Sequence, residues 1–412
     1  MTVGITPARR AAYEVVRRTF EDGAWTDRAF ASAATRYELT GRDLAHARRL
    51  AYGAVQRRAT ADALVAGFAR RRQGAIDPAA LAALRLGVYE ICFADAAPDH
   101  AAVDQAVELA KAGVRRDGAP AARARAAAGF VNAVLRRIAD DRDELLARLD
   151  DSTPEGAAVA LSYPEWLTEM LWAELGARDA REVLRAMNEP AEAAFRVNSL
   201  ITDPETVTAA LREYEIEARR GAGRGLLDPA DAVVVARASD PVRKLVEIGE
   251  LVPQSRASQA VVELLDPRPG ERVLDVCAGP GIKTTQIAAK MGDRGEITSI
   301  ELDERRAREI AELCERVGAR SVRVEVADAA EADLGSGYDR VLVDPPCSDL
   351  GTLASRPDAR WRKTPETIER LALLQRRILT RAARALAPGG TLVYSTCTLS
   401  ARENDAIAAA VA

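Results

Sequence analysis

The last third of the chain alternates between short apolar strands and amphipathic helices. After residue 266, the pattern predicts strands at RVLDV, EITSIE, SVRVEV, YDRVLVD and TLVYST, separated by helices such as TTQIAAKM and ERRAREIAELCERVG. Apolar strands that alternate with helices are typical of a parallel sheet covered on both faces. We therefore predict a doubly wound α/β domain over residues 266–412.

The first part of the chain lacks this alternation and is predicted to be helical. Apolar residues recur every three or four positions in AAYEVVRRTF, RDLAHARRLAYGAVQ and LAALRLGVYEICFA, which predicts an all-α domain over residues 1–145. For residues 146–265 we predict a helical linker followed by a small α+β subdomain that contains strands at FRVNSL and DAVVVA.

Charge is distributed unevenly along the chain. Residues 1–140 carry 22 basic and 15 acidic side chains, whereas the whole chain has a net charge of −4. The basic residues of the helical region cluster in ARRAAYEVVRR, FARRRQ, KAGVRR and LRR. We therefore expect a polyanionic partner for the N-terminal domain.

Composition excludes several classes of protein. No apolar run approaches the ~18 residues of a membrane span, and the charged N-terminus has no signal-peptide core, so no membrane association is expected. Five cysteines without a CxxC pair favour a reducing cytoplasm over a disulfide framework. The only histidines are His46 and His100, so we expect neither histidine catalysis nor a bound metal.

A glycine-rich loop follows the first strand of the predicted α/β domain. Such a loop lets a nucleotide-like ligand approach the backbone, although a tight turn without a ligand is the alternative. The loop has neither the GxGxxG pattern nor the spacing of a Walker loop, which disfavours a dinucleotide or a triphosphate. Its residues are Cys277, Ala278, Gly279, Pro280, Gly281, Ile282 and Lys283.

Acidic residues lie at the ends of the first three strands of this domain. Asp275 belongs to the first strand, Glu301 ends the second, 26 residues later, and Asp328 follows the third. Open α/β sheets bind ligands at the carboxyl ends of their strands. There Glu301 can accept hydrogen bonds from both ribose hydroxyls, and Asp328 can face an adenine amino group. Each acid alone could be a solvated strand end, but together they predict an adenosyl site.

Two cysteines follow the fourth and fifth strands. The motif DPPCS places Asp344 and Cys347 after the fourth strand, and YSTCT places Cys397 after the fifth. Most cysteines are buried and inert, and we expect this of Cys92 and Cys314. Positions at the ends of adjacent strands instead favour a chemical role for Cys347 and Cys397.

These motifs resemble those of the RNA cytosine-5 methyltransferases of the NOL1/NOP2/Sun family. The resemblance rests on DVCAGPGIKTT, DPPCSDLGT, RPDARWR and YSTCTLSARENDAI, and extends upstream through SYPEW, FRVNSL and VPQSRASQ. The N-terminal third, with LRLGVYEICF, AAVDQAVELAK and FVNAVLRRI, resembles a NusB-type RNA-binding domain. This fusion is typical of bacterial enzymes that modify 16S ribosomal RNA. It implies a Rossmann-like methyltransferase domain that uses S-adenosylmethionine.

The resemblance also implies a role for individual residues. Cys397 is the implied nucleophile, which adds to carbon 6 of cytosine and thereby activates carbon 5. Cys347 would assist release of the adduct, and Asp344 would hydrogen-bond the cytosine edge near N3. Lys283 would lie near that acid and help to position the site. The implied S-adenosylmethionine site comprises Cys277, Ala278, Gly279, Pro280, Gly281, Lys283, Glu301, Arg306, Asp328 and Asp344. The candidates for RNA contact are Arg196, Asn198, Arg356 and Arg360, and an ordinary structural role is the alternative for each.

The sequence departs from the family pattern in several places. The family usually has glycine where this chain has Ile282, and a positive φ would be costly there. Ser255 stands where Asp is common, and Asp349 where Gly is common. The family continues into two further strands beyond the position of Ala412. We therefore expect the TLVYST strand to lie at a sheet edge, and a chain with those strands to be more soluble and more active.

Three other functions remain open from the sequence. An amino methyltransferase is disfavoured because such enzymes have an aromatic residue at the position of Cys347. A NusB-like RNA-binding factor with an inactive methyltransferase domain is disfavoured because the candidate catalytic residues are all present. A tRNA substrate is not distinguished from ribosomal RNA by the catalytic motifs. We also expect the protein to be a monomer.

Overall fold

The computed structural model describes residues 4–69, 73–94, 98–236 and 239–411. The chain divides into two compact units. The first comprises residues 1–190 together with 350–364, and the second comprises residues 191–349 together with 365–412. Part of the basic run FARRRQ, residues 70–72, lies outside the described residues.

The first unit is helical, as the apolar periodicity predicts. Its helices pack around alanine, valine and leucine side chains that are almost fully buried. A buried ion pair links its first and fifth helices, because Arg9 Nη2 lies 2.6 Å from Glu90 Oε2. The helices are α1 (Pro7–Phe20), α2 (Thr26–Arg36), α3 (Gly41–Gln56), α4 (Arg58–Ala69), α5 (Pro78–Phe93), α6 (Asp99–Arg116), α7 (Ala121–Asp140), α8 (Arg142–Ala147), α9 (Pro154–Ala160) and α10 (Glu165–Ala186).

A segment from much later in the sequence completes this unit. Residues 350–364 form two short 3₁₀ turns, Leu350–Thr352 and Pro357–Trp361. The Trp361 indole Nε1 donates to the carbonyl of Val55 at 2.8 Å. The backbone N–H of Thr26 donates to Asp358 Oδ2 at 3.2 Å. This segment therefore packs with the N-terminal helices although it follows the DPPC motif in sequence.

The second unit begins with a small antiparallel sheet, as predicted for an α+β subdomain. Its strand order is β2-β3-β1-β4, and every pair in it is antiparallel. The strands are β1 (Ala193–Val197), β2 (Ala218–Arg220), β3 (Ala232–Val235) and β4 (Leu251–Pro253), with helices α11 (Pro204–Glu213), α12 (Asp240–Glu247) and α13 (Arg256–Leu265).

A five-stranded parallel sheet forms the rest of the second unit and confirms the predicted doubly wound α/β domain. Its strand order is β7-β6-β5-β8-β9. Successive strands are added on one side of β5 and then on the other, so the order switches beside β5, the strand before the glycine-rich loop. In the described residues β9 lies at one edge of this sheet. The elements are β5 (Arg272–Val276), α14 (Ile282–Lys290), β6 (Glu296–Glu301), α15 (Glu304–Val317), β7 (Val322–Val326), β8 (Tyr338–Val343), α16 (Pro365–Ala385), β9 (Leu386–Tyr394) and α17 (Asp405–Val411).

The two units do not follow the predicted domain boundaries at 145 and 265. Helices α9 and α10 group with the N-terminal helices, because α9 contacts α4, and the small sheet groups with the parallel sheet. The division into three domains stays a prediction. Among the described helices, none combines the length and the apolar character needed to cross a bilayer.

Candidate active site

The glycine-rich loop is shaped by residues with a left-handed backbone and by one close approach. Cys277 has φ +63° and Gly281 has φ +93°, and the Gly279–Pro280 peptide bond is cis. The N–H of Gly279 donates to Glu301 Oε2 at 2.9 Å, and a Cβ atom at position 279 would lie only 2.3 Å from that oxygen. Glycine is therefore required for the loop to approach Glu301.

The sequence suggested a costly positive φ at Ile282, and the structure shows that this residue does not adopt one. Ile282 is the first residue of α14, and it is absent from the residues with positive φ. The left-handed conformation falls on Gly281 instead, which is the N-cap of that helix. The β-branched side chain thus carries no backbone strain.

Four carboxyl groups surround the end of β5. Burial, and then the carboxyl groups of Glu301, Asp275, Asp344 and Asp328, together raise the pKa of the Cys277 thiol to about 12. All four acids are therefore close enough to act on one thiol at the carboxyl end of the sheet. Negative charge concentrated beside a glycine-rich loop suits a ligand that carries a positive charge and hydroxyl donors.

The individual acids differ in exposure and partners. Glu301 is 6% exposed, and its Oε1 accepts from the N–H of Asp303 at 3.0 Å. Asp328 is exposed, and its Oδ1 accepts from the N–H of Ala330. Arg306 is also exposed, in the first turn of α15. Of the acids predicted to bind the adenosyl group, Glu301 is thus buried and Asp328 is exposed.

Adjacent strands bring Asp344 and its partners together. Strand β8 pairs in parallel with β9, with Val343 opposite Tyr394, so the residues that follow these strands are neighbours. Asp344 Oδ1 accepts from the hydroxyl of Ser395 at 3.1 Å, and Asp344 Oδ2 lies 2.5 Å from Lys283 Nζ. The predicted proximity of Lys283 to this acid is present in the structure.

The two strand-end cysteines form a close pair. The Sγ atoms of Cys347 and Cys397 are 3.2 Å apart, and Cys347 is buried whereas Cys397 is exposed. Asp349 Oδ1 lies 3.0 Å from Cys397 Sγ. The hydrogen bond with Cys347, then burial, and then the carboxylate of Asp349 raise the pKa of the Cys397 thiol. In this state Cys397 is therefore protonated at neutral pH.

A buried glutamate that the sequence analysis did not single out anchors both cysteine loops. Glu403 is fully buried, and its Oε1 accepts from the N–H of Ser348 at 2.9 Å and from the amide of Gln375 at 2.9 Å. The Ser348 hydroxyl donates to its Oε2, and Ser348 Oγ lies 2.6 Å from Thr398 Oγ1. The loop after β8 and the loop after β9 are thus held by one carboxylate. The sequence feature that could have pointed to Glu403 is its position in ARENDAI, directly after the second cysteine motif.

Three of the four residues predicted to contact RNA are instead interior residues. Arg196 is 1% exposed, and Asn198 and Arg360 are fully buried. Arg196 donates from Nε to Gln254 and from Nη2 to Thr285. The prediction of RNA contact is therefore wrong for these three, because in this structure their polar atoms face the protein interior.

Asn198 and Arg360 each satisfy backbone carbonyls inside their own unit. The Asn198 amide donates to the carbonyls of Gly249 and Val317 at 3.0 and 2.8 Å. Arg360 Nη1 donates to the carbonyl of Ser162 at 2.9 Å. The fourth candidate, Arg356, is exposed and stays a prediction.

Comparisons with known proteins agree with this architecture. The profile of the family "16S rRNA methyltransferase RsmB/F" matches residues 262–411, that of the NusB family matches 6–140, and that of an RsmF/B-like ferredoxin-like domain matches 163–227. The crystal structure of PH0851 superimposes with a TM-score of 0.78 at 24% identity, covering 99% of this chain and 90% of that one. This likeness supports the fold.

Relatives in bacteria extend the match over nearly the whole chain. A probable ribosomal RNA small subunit methyltransferase B from Bacillus subtilis is 31% identical, covering 98% of this chain and 87% of the relative. The ribosomal RNA small subunit methyltransferase B of Thermus thermophilus is 35% identical over 89% of this chain and 77% of the relative. With the glycine-rich loop, the strand-end acids and the cysteine pair in place, the chain belongs to the RsmB/F family of S-adenosylmethionine-dependent RNA methyltransferases, with an N-terminal NusB domain.

Proposed function

We propose that the chain methylates carbon 5 of a cytosine in 16S ribosomal RNA through a covalent adduct with Cys397. The observation that carries the proposal is the pair of thiols 3.2 Å apart at the ends of neighbouring strands, beside the acid Asp344. An amino methyltransferase has no use for two thiols at this place, whereas methylation of a pyrimidine carbon needs a nucleophile on the ring.

The chemistry assigns a different task to each thiol. Carbon 5 of cytosine is a poor nucleophile. When the Cys397 thiol loses its proton and its sulfur adds to carbon 6, a proton is taken up at ring N3, and the ring becomes an enamine whose carbon 5 is nucleophilic. S-adenosylmethionine supplies the electrophilic methyl group. Cys347 then assists loss of the carbon 5 proton and elimination of Cys397, which restores the aromatic ring and the free thiol. The exposed position of Cys397 and the buried position of Cys347 match these tasks.

Asp344 and Lys283 suit the addition step. Asp344 is positioned by the Lys283 ammonium and the Ser395 hydroxyl, which fixes the orientation of its carboxylate. A carboxylate held in this way can accept a hydrogen bond from a protonated cytosine N3 and so favour the electron-poor ring that a thiolate attacks. We assign Asp344 this contact and Lys283 the role of a positioning residue.

The residues at the end of β5 and β6 fit S-adenosylmethionine. Glycine at 279 keeps open a space that a Cβ atom would fill beside Glu301, and the cluster of acids favours the positively charged sulfonium. We assign the ribose hydroxyls to Glu301, the adenine amino group to Asp328 and the methionine end to the loop from Cys277 to Lys283. We assign Arg306 to the same cofactor site.

The remaining assignments concern partners and location. We propose that the NusB domain within residues 1–145 supplies the affinity for RNA phosphates, with binding that weakens as salt rises. The target cytosine would be unpaired or extruded from its helix to reach the thiols. We further propose that the protein acts as a monomer in the cytoplasm.

Adduct trapping tests the proposal. The wild type, Cys347→Ala, Cys397→Ala and the control Cys314→Ala are incubated with S-adenosylmethionine and unmodified 16S RNA, or with tRNA. We expect an RNA–protein band that survives denaturing electrophoresis and accumulates with Cys347→Ala, because elimination is slowed. The band should be absent with Cys397→Ala, and Cys314→Ala should behave as the wild type.

The same experiment separates the competing functions. Adduct and methylation with tRNA but not with 16S RNA would establish the tRNA alternative. Tight binding of 16S RNA by the wild type with neither adduct nor methylation, also after addition of small-subunit proteins, would indicate a non-catalytic RNA-binding factor. Equal methylation by Cys397→Ala and the wild type would refute the covalent mechanism.

A further inference from the structure

We propose that Cys347, Cys397 and Asp349 form a binding site for one Zn²⁺ ion, which nothing in the sequence motifs indicates. The ligand atoms of these three residues all lie within 4.8 Å of one another. Binding of the ion is independent of the RNA reaction. Its consequence, reversible inhibition through capture of the Cys397 sulfur, rests on the proposed function.

The distances among the three ligand atoms are close to those of a tetrahedral zinc site. The two sulfurs are 3.2 Å apart, and Asp349 Oδ1 lies 3.0 Å from Cys397 Sγ and 3.7 Å from Cys347 Sγ. Zn–S bonds of about 2.3 Å and Zn–O bonds of about 2.1 Å at tetrahedral angles separate two sulfurs by about 3.8 Å and a sulfur and an oxygen by about 3.6 Å. Shifts of a few tenths of an ångström would therefore admit the ion.

The ligand set has the chemistry that Zn²⁺ prefers. Two thiolates and one carboxylate supply the soft and hard donors found in zinc sites. On binding, the S–H bonds of both cysteines break, two S–Zn bonds form, and the two protons pass to the buffer. The divalent cation also offsets the repulsion among three anionic groups packed within a few ångströms of each other.

The surroundings make the site both fixed and accessible. The neighbour of Cys347 in sequence, Ser348, is held by the buried carboxylate of Glu403, so the ligands do not need to be gathered from flexible loops. Cys397 is exposed, which gives the ion a path from solvent and leaves room for a water molecule as the fourth ligand.

Asp349 occupies a backbone position that suits glycine. Its backbone has φ +60°, the left-handed region that favours glycine, and glycine is common at this position in the family that the motifs resemble. Asp tolerates this conformation better than most residues. The exchange of glycine for aspartate adds the third ligand without changing the backbone, and Asp349→Gly is therefore a variant that the backbone readily accommodates.

Zinc titration of the full chain tests the proposal. The protein is reduced, freed of metal and titrated with Zn²⁺ against a chromogenic chelator in the absence of RNA. We expect the wild type to bind one more Zn²⁺ than the double variant Cys347→Ala/Cys397→Ala. Asp349→Gly should lower the affinity of this site for Zn²⁺ at least tenfold, and Asp349→Asn should also lower it. The control Cys92→Ala/Cys314→Ala should match the wild type.

Alkylation provides a second readout that does not depend on activity. Zn²⁺ should protect Cys347 and Cys397 from iodoacetamide, as measured on the tryptic peptides 341–360 and 385–402, and should leave Cys92 unprotected. The proposal is overturned if the wild type binds no more Zn²⁺ than the double cysteine variant, or if Asp349→Gly binds it as tightly as the wild type. Zinc binding without any adduct to RNA would uphold the site and refute the proposed function.

Discussion

Replacement of Glu403 tests whether one buried carboxylate holds the two cysteine loops. In Glu403→Ala the Ser348 N–H becomes a buried donor without an acceptor, which costs about 1–3 kcal/mol. The bonds from the Ser348 hydroxyl and the Gln375 amide to the carboxylate are lost as well, although both groups keep another partner. Together these losses lower the local free energy of unfolding by about 3–5 kcal/mol.

Glutamine at the same position is the matched control. Both N–H donors bond to the same oxygen, Oε1, and the amide oxygen of glutamine can take that place. Its NH₂ group can then donate to the Ser348 hydroxyl. We therefore expect Glu403→Gln to stay within about 1 kcal/mol of the wild type.

Hydrogen exchange of the Ser348 amide measures the effect directly. Exchange of the peptide that spans residues 341–356 should be accelerated strongly in Glu403→Ala and little in Glu403→Gln, with α3 and α5 in the first unit unchanged. Adduct formation by Cys397 should decrease in parallel. Equal exchange in Glu403→Ala and the wild type would refute the anchoring role, and equal acceleration in both variants would show that charge rather than acceptor geometry is what matters.

Three further predictions address the cofactor loop, a buried acid and the first unit. Gly279→Ala should weaken the binding of S-adenosylhomocysteine at least tenfold by calorimetry, because the new Cβ would lie 2.3 Å from Glu301 Oε2; unchanged affinity would contradict the assigned loop contact. Burial raises the pKa of Asp275 to about 7, against an opposing hydrogen bond from Thr284. A carboxyl with a raised pKa favours the fold below its unfolded value of about 4, and this contribution is lost as the pH rises to 7. The free energy of unfolding of Asp275→Asn, measured with urea, should therefore rise by up to about 4 kcal/mol relative to that of the wild type between pH 4 and 8. Parallel pH profiles for the two proteins would refute the raised pKa of Asp275. Arg360→Lys should lower the melting temperature of the first unit, because lysine cannot keep both the bonds to backbone carbonyls and the stacking on an aromatic ring at 4.0 Å; an unchanged melting temperature would argue against it.

The placement of the candidate catalytic residues side by side could be predicted because it depends on local order alone. Strands of a parallel sheet point the same way, so the residues that follow β8 and β9 must be neighbours once the two strands pair. Asp344, Cys347 and Cys397 were found for this reason. The contact of Lys283 with Asp344 was instead implied by the family resemblance, and the structure places Lys283 in the first turn of α14, which follows the adjacent strand β5.

The failures concern burial and partners that lie far away in sequence. The identity of a polar residue does not reveal whether its side chain faces water. Arg360 is buried, and its guanidinium donates to a backbone carbonyl 198 residues away in sequence. Arg196 and Asn198 likewise satisfy groups from other elements. The packing of residues 350–364 within the first unit and the anchoring by Glu403 depend on tertiary contacts. The spacing of apolar residues along the sequence does not reveal such contacts.

Peptide mapping of a trapped adduct tests the central claim most directly. RNA that carries 5-fluorocytosine has no carbon 5 proton to lose after methyl transfer, so the adduct cannot be resolved. Digestion with ribonuclease and trypsin then assigns the nucleotide either to the peptide 385–402, which contains Cys397, or to 341–360, which contains Cys347. We predict a methylated fluoropyrimidine on Cys397. The same mass on Cys347, or no covalent product while 5-methylcytosine forms in ordinary RNA, would contradict the account.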